Sequence, residues 1–260
     1  MIPKTKTHEA YEYLKNYHGL TNPNSFKYLS WLNSAEKLIK TDPVDGYVLQ
    51  GFAHMALGDI QSAVQSMKKA YLLNNIVATY NYATLLYKSG EFSQSHQMCL
   101  NVLNKDPYDS NIIEVVLSNA SRSLDLNILN EAFELFQGGN LYIDNQKIKA
   151  IDFIKNTISK LKITNITQDN FVYIYSLLNR FLSKHYIGDY YVDVDVSQTE
   201  IGNILNIDIY LNNVGTDDCL DLDDKFLDVL IDDSQLNFDD YKNIIVHFIP
   251  AKYDDLECMQ

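Results

Sequence analysis

Glycine and proline are scarce in this chain, 10 and 5 among 260 residues. A turn-rich all-β fold needs more punctuation than that, so the scarcity favours long helices. Cysteine is rare too. Cys99, Cys219 and Cys258 lie far apart and form no disulfide framework, which points to a reducing compartment. No stretch approaches the roughly 18 apolar residues of a membrane span. The start, Met1 to Glu9, lacks the apolar segment of a secretory signal. A soluble cytoplasmic protein is expected. Enzyme signatures are missing as well: there is no P-loop, GxGxxG, GxSxG, HExxH or CxxC pairing.

Basic residues are lacking in one part only. Residues 1–183 carry 17 Lys+Arg against 16 Asp+Glu, whereas residues 184–260 carry 4 against 18. The chain's net charge of −13 therefore comes from its last third. That third repels nucleic acid and anionic membranes, and Lys and Arg do not cluster elsewhere, so neither is an expected partner. What is abundant is apolar matter, 46% of residues, with 19 Tyr. A chain this apolar can offset its ordering entropy and is no disordered acidic tail.

An internal period runs from residue 43 to 107. Gly58 and Gly90 recur in Ala56-Leu57-Gly58-Asp59-Ile60 and Lys88-Ser89-Gly90-Glu91-Phe92. Asp42-Pro43-Val44-Asp45 and Asp106-Pro107-Tyr108-Asp109 recur with Asn75 midway. Each unit reads helix, Gly turn, helix, Pro or Asn turn. Tyr47, Gly51, Gly58, Ala63, Met67 and Ala70, then Ala83, Leu86, Gly90, Ser95, Cys99, Val102 and Pro107, resemble the small and large positions of the tetratricopeptide repeat. The family's Trp and Leu-Gly pair are absent. Flanking segments supply further pairs: 8–18 with 26–40 (Trp31, Ala35, Leu38), and 110–124 with 127–137. A helix at 144–161 acts as the cap. The resemblance covers about residues 8–140 and implies a concave protein-binding surface without chemistry. Class II chaperones of type III secretion have a similar three-repeat scaffold, without the unit that follows here.

The period then changes. Phe171, Ile174, Tyr175, Leu178 and Leu182 mark an amphipathic helix over 169–186, with Asp169 as its N-cap. Alternation at Tyr190, Val192, Val194 and Val196, and again at Leu205, Ile207, Ile209 and Leu211, marks two half-buried antiparallel strands. A helix over 221–232 buries Leu222, Phe226, Val229 and Leu230. The run 243–249, apolar on both faces, is placed centrally in the sheet, parallel to the preceding strand. The fold class expected is an α-helical TPR-like repeat array over 1–162, followed by a small acidic α+β domain (α-β-β-α-β) over 166–260.

Two readings compete for the acidic residues. Asp193, Asp195 and Asp208 form a D-x-D strand with a neighbouring carboxylate, a pattern that holds divalent metals in nucleotidyltransferases. The Gly-Ser phosphate-binding element of those enzymes is absent. Asp217, Asp218, Asp221, Asp223 and Asp224 lack the ligand spacing of a calcium loop, and Asp217 or Asp218 suits a helix cap. His247 reads as a core or interface residue, and Cys99 as a small core hydrophobe. No metal, cofactor or catalytic residue is therefore expected. The reading adopted is a non-enzymatic protein-binding adaptor, chaperone or immunity-type protein, in which spaced carboxylates (Asp193, Asp195, Asp208, Asp221, Asp223, Asp224 and Asp228) meet a basic protein surface, as in immunity proteins, antitoxins and secretion chaperones. Further alternatives are a metal-dependent transferase using Asp193, Asp195 and Asp208, a structural subunit of a homo-oligomer, and acidity that serves solubility alone.

Overall fold

Helix starts in the first half of the chain are set by short polar side chains. Asp42, Asp59, Asn75 and Asp109 each accept a hydrogen bond from a backbone N–H in the following turn. The computed structural model describes residues 5–251 apart from 74 and 201, so the first four residues and Cys258 lie outside the described residues. It opens with α1 (Lys6–Asn16), β1 (Gly19–Leu20) and α2 (Phe26–Leu38). Helices α3 (Pro43–Ala56), α4 (Ile60–Tyr71), α5 (Ile76–Lys88), α6 (Phe92–Leu103), α7 (Ser110–Ser123) and α8 (Leu126–Leu135) follow, each packed on the next. Close approach needs small residues between paired helices: a Cβ at Gly51 of α3 would sit 2.9 Å from Met67 Cε of α4. Between α6 and α7 the contact is polar. Buried Asn119 donates to Ser95 Oγ at 2.8 Å, and Ser95 donates to the Ala83 carbonyl at 2.7 Å. Cys99 is fully buried beside them.

Two long helices come next, α9 (Leu141–Thr164) and α10 (Gln168–His185). Thr167, not Asp169, caps α10, accepting from the Asn170 N–H. Phe171, Ile174, Tyr175 and Leu178 of α10 are fully buried, each worth about 1.5–3 kcal/mol of apolar burial. Much of this face rests on the turns of the helix array. Gly58 and Gly90 both have positive φ, which suits glycine, and both touch α10. A Cβ there would meet the Lys184 carbonyl at 2.4 Å or the Ser176 carbonyl at 2.6 Å. The third turn has Leu124 in the left-handed region, and its carbonyl accepts from Gln168 at 3.2 Å. Arg122 lies in the same joint, 5.0 Å from the Tyr175 ring and 5.5 Å from that of Tyr190. Among the described residues no carboxylate pairs with it.

Beyond α10, β2 (Tyr186–Ile187) pairs antiparallel with β1, tying the segment after α10 to the first turn of the array, between α1 and α2. Strands β3 (Tyr190–Thr199) and β4 (Gly202–Asn212) pair antiparallel. Helix α11 (Thr216–Asp232) and the short α12 (Phe238–Tyr241) lead to β5 (Ile244–Ala251), parallel to β4. The outcome is a helical array with a small mixed three-stranded sheet. Val192, Ile209 and Phe248, with Val194, Ile207 and Val246, form the sheet's inner face, against α9, α10 and α11. Phe181, Phe226 and Phe248 meet there, one ring from α10, one from α11 and one from β5.

Two strand expectations need correction. The order is β3-β4-β5, so β5 is an edge and β4 is central. Asp223 accepts the outward Phe248 N–H at 2.7 Å, and Pro250, two residues on, has no N–H to leave unpaired. His247 is exposed on the outer face rather than buried. Helix α11 also starts at Thr216 instead of 221, with Gly215 as N-cap and Asp217 and Asp218 in the first turn, where its dipole favours them. Among the described residues no helix is long and apolar enough to cross a membrane.

Candidate protein-binding surfaces

The largest concavity among those defined is an open groove of about 810 Å³ along the starts of α1, α3, α5 and α7. Its floor is apolar: Tyr11, Val48, Phe52, Val77 and Tyr80. Its rim is acidic, with Asp42 and Asp45 at the start of α3, and Asp106 and Asp109 before α7. An Asp-Pro-x-Asp motif lies at both helix starts, its first Asp capping α3 and its last Asp capping α7, which brings all four carboxylates to the same end of the helices. Among the described residues of the lining, His8 is the only ionisable nitrogen. Asn81 also lines the groove; it is 8% exposed and its amide makes no hydrogen bond to the described residues. One turn beyond Asn111, Glu114 adds to the negative field. Desolvation holds its carboxyl above the ordinary range, Asp189 adds to this and Lys15 opposes it. Tyr80 is pushed up to about 12, first by desolvation and then by Tyr11 and Glu114. The groove therefore offers apolar contact, a free amide and negative charge.

The predicted acidic residues divide between two surfaces. On the solvent face of the sheet, Asp193, Asp208 and His247 stand in one row across β3, β4 and β5. Asp195 is one row away, opposite Asn206, with Lys160 of α9 at 3.6 Å. Desolvation raises Asp208, with Asp193 and Asp195 adding to it and His247 opposing. Asp193 also accepts from the Val194 N–H, and Lys160 donates to the Val194 carbonyl, so the free edge of β3 is occupied there. Among the described residues no three His, Cys, Asp or Glu side chains come together in a way that could hold a metal ion.

Asp221, Asp224 and Asp228 are exposed on α11, which packs on the other face of the sheet. Asp221 pairs with Lys225 at 2.5 Å. Asp223 is separate from this group because its carboxylate caps β5, and burial is the main reason its carboxyl is raised. No family model matches the chain, and no curated protein or solved structure is significantly similar to it.

Sequence reasoning placed binding on the concave side of the array but named no residue there. The signal lies in the repeated Asp-Pro-x-Asp motif, whose carboxylates line the groove as well as punctuating the helices.

Proposed function

We propose that the protein is a non-enzymatic binding scaffold in which a tetratricopeptide-like array holds a segment of a partner protein and the acidic α+β unit engages that partner's basic surface. The observation that carries this reading is the groove, with an apolar floor between four aspartates and the free amide of Asn81 at its base. A segment alternating Lys or Arg with large apolar residues satisfies all three features. Its side chains bury against Phe52, Val77 and Tyr80, its charges face the rim, and its backbone takes the amide. The net charge of −13 speeds encounter with a basic partner and makes affinity sensitive to salt. An adaptor, a secretion chaperone or an immunity protein against a basic toxin fits this chemistry.

Selection from a displayed random-peptide library against the full chain tests the reading. Enrichment of Lys or Arg alternating with Leu or Phe is expected. The selected peptides should lose at least tenfold in affinity when Asp45 and Asp109 become Asn, or when Val77 becomes Asp. Selected sequences without basic enrichment, or affinities unmoved by these substitutions, sink it.

A further inference from the structure

Helix α11 carries more apolar surface than its fold uses. Cys219, Leu222, Phe226 and Leu230 are buried against β5 and α10. Leu220, Leu227 and Ile231 point elsewhere and remain 58%, 49% and 57% exposed. With Asp224 they follow the i, i+4, i+7, i+11 spacing of a helix–helix seam, and Asp224 is the one polar position within it. At 3.6 residues per turn, Asp217, Asp221, Asp228 and Asp232 lie along one flank of that stripe, and the other flank faces β5 through Asp223. Lys225 is the only cation on the helix and is paired with Asp221.

We propose that this outer face of α11 docks an amphipathic helix of a partner protein, one with Leu-type residues in its seam and Lys or Arg beside them. The inference rests on the binding-scaffold reading and adds a second contact site to it, on a different part of the molecule from the groove. Charge decides the occupant. A second copy of α11 would bring Asp221, Asp224 and Asp228 against their own counterparts, whereas a basic helix neutralises them and places a cation opposite Asp224. An added strand is not the occupant, since Asp223 and Pro250 block the neighbouring edge of β5.

The test titrates the full chain with a fluorescein-labelled three-heptad peptide, Leu in the seam and Lys on both flanks, read by fluorescence anisotropy. A scrambled peptide of identical composition is the control. The seam peptide is expected to bind at least tenfold more tightly than the scrambled one. Leu227→Gln with Ile231→Gln should erase that preference, and Leu220→Gln alone should reduce it, giving a milder variant in case the pair unfolds. Asp221→Lys, Asp224→Lys and Asp228→Lys together should weaken both peptides more than tenfold. Val77→Asp in the groove should leave the seam peptide's affinity unchanged. Equal binding of the two peptides overturns the proposal, as does indifference to the seam substitutions. Loss of seam-peptide binding with Val77→Asp also overturns it, but leaves the groove reading intact. Conversely, seam binding without basic groove ligands in the library selection removes the groove and keeps α11.

Discussion

One buried core gathers Ala10, Trp31, Leu49, Met67 and Tyr82, one from each of α1 through α5, with Ile187 reaching in from β2. The other runs without a break from Ala83 and Cys99 through α7, α9 and α10 to Phe226 and Phe248. Packing thus divides the chain within α5, while charge divides it near residue 184. The difference has a physical cause. Charge is a property of the solvent-facing side chains, whereas the core follows which apolar faces the topology brings together. Helices α9 and α10 carry seven Lys+Arg against three Asp+Glu and form the inner layer beneath an acidic sheet, so one core serves surfaces of opposite character.

The sharpest way to break this comparison is Phe226→Ala, which empties the meeting point of α10, α11 and β5 and should cost about 3–5 kcal/mol. Hydrogen exchange should then quicken in α7 and α9 together with the sheet, and less in α3 and α4. Unchanged protection in α7 would mean that the second core is two cores. Next in size is Gly90→Ala, at φ +80 and with the Ser176 carbonyl 2.6 Å from the new Cβ. A loss of about 1–3 kcal/mol in urea unfolding is expected. Gly139→Ala, with nothing within 4 Å of its Cβ, should be near neutral.

Arg122→Met probes the joint between array and sheet. The guanidinium is held by Tyr rings and no carboxylate among the described residues, so an apolar chain of similar length should stabilise by about 1 kcal/mol. A clear loss in thermal unfolding would assign the cation–π contacts the larger share. The smallest effect is expected at Asp208. Because desolvation, reinforced by Asp193 and Asp195, raises its folded carboxyl above the unfolded value, the native state gives up this proton less readily. Stability is unaffected where both states are protonated and falls as pH rises through the folded value. Asp208→Asn should therefore raise Tm slightly at neutral pH and leave it unchanged at about pH 3. An equal shift at both would point to packing rather than charge.

Much of this fold was legible because its signals are periodic. The apolar face of α10, the alternation in β3 and β4, and the glycine turns at 58 and 90 sit where the sequence pattern puts them. What escaped is non-local. An apolar run such as Ile244–Ile249 reads the same at an edge as at the centre, and its cap, Asp223, comes from 25 residues away. The start of α11 was misplaced because an Asp-rich turn has poor helix propensity, while the helix dipole favours those carboxylates at the N-terminus. Sequence grouped Asp223 with Asp221 and Asp224, but helical geometry turns it to the opposite side.

The three turns of the array meet α10 at Gln168, Ser176 and Lys184, each eight residues from the next. At 1.5 Å per residue that is about 12 Å for every helix pair. Helix α10 is thus a ruler laid along the turns that follow α3, α5 and α7, graduated in helix pairs. Repeat stacks joined only to their neighbours flex like springs, since nothing beyond the next repeat fixes their pitch. Here a continuous rod spans all three turns and ties their spacing to its own rise. A partner segment held in the groove, as proposed, would meet a gauge already set, and its binding energy would not be consumed in closing the stack.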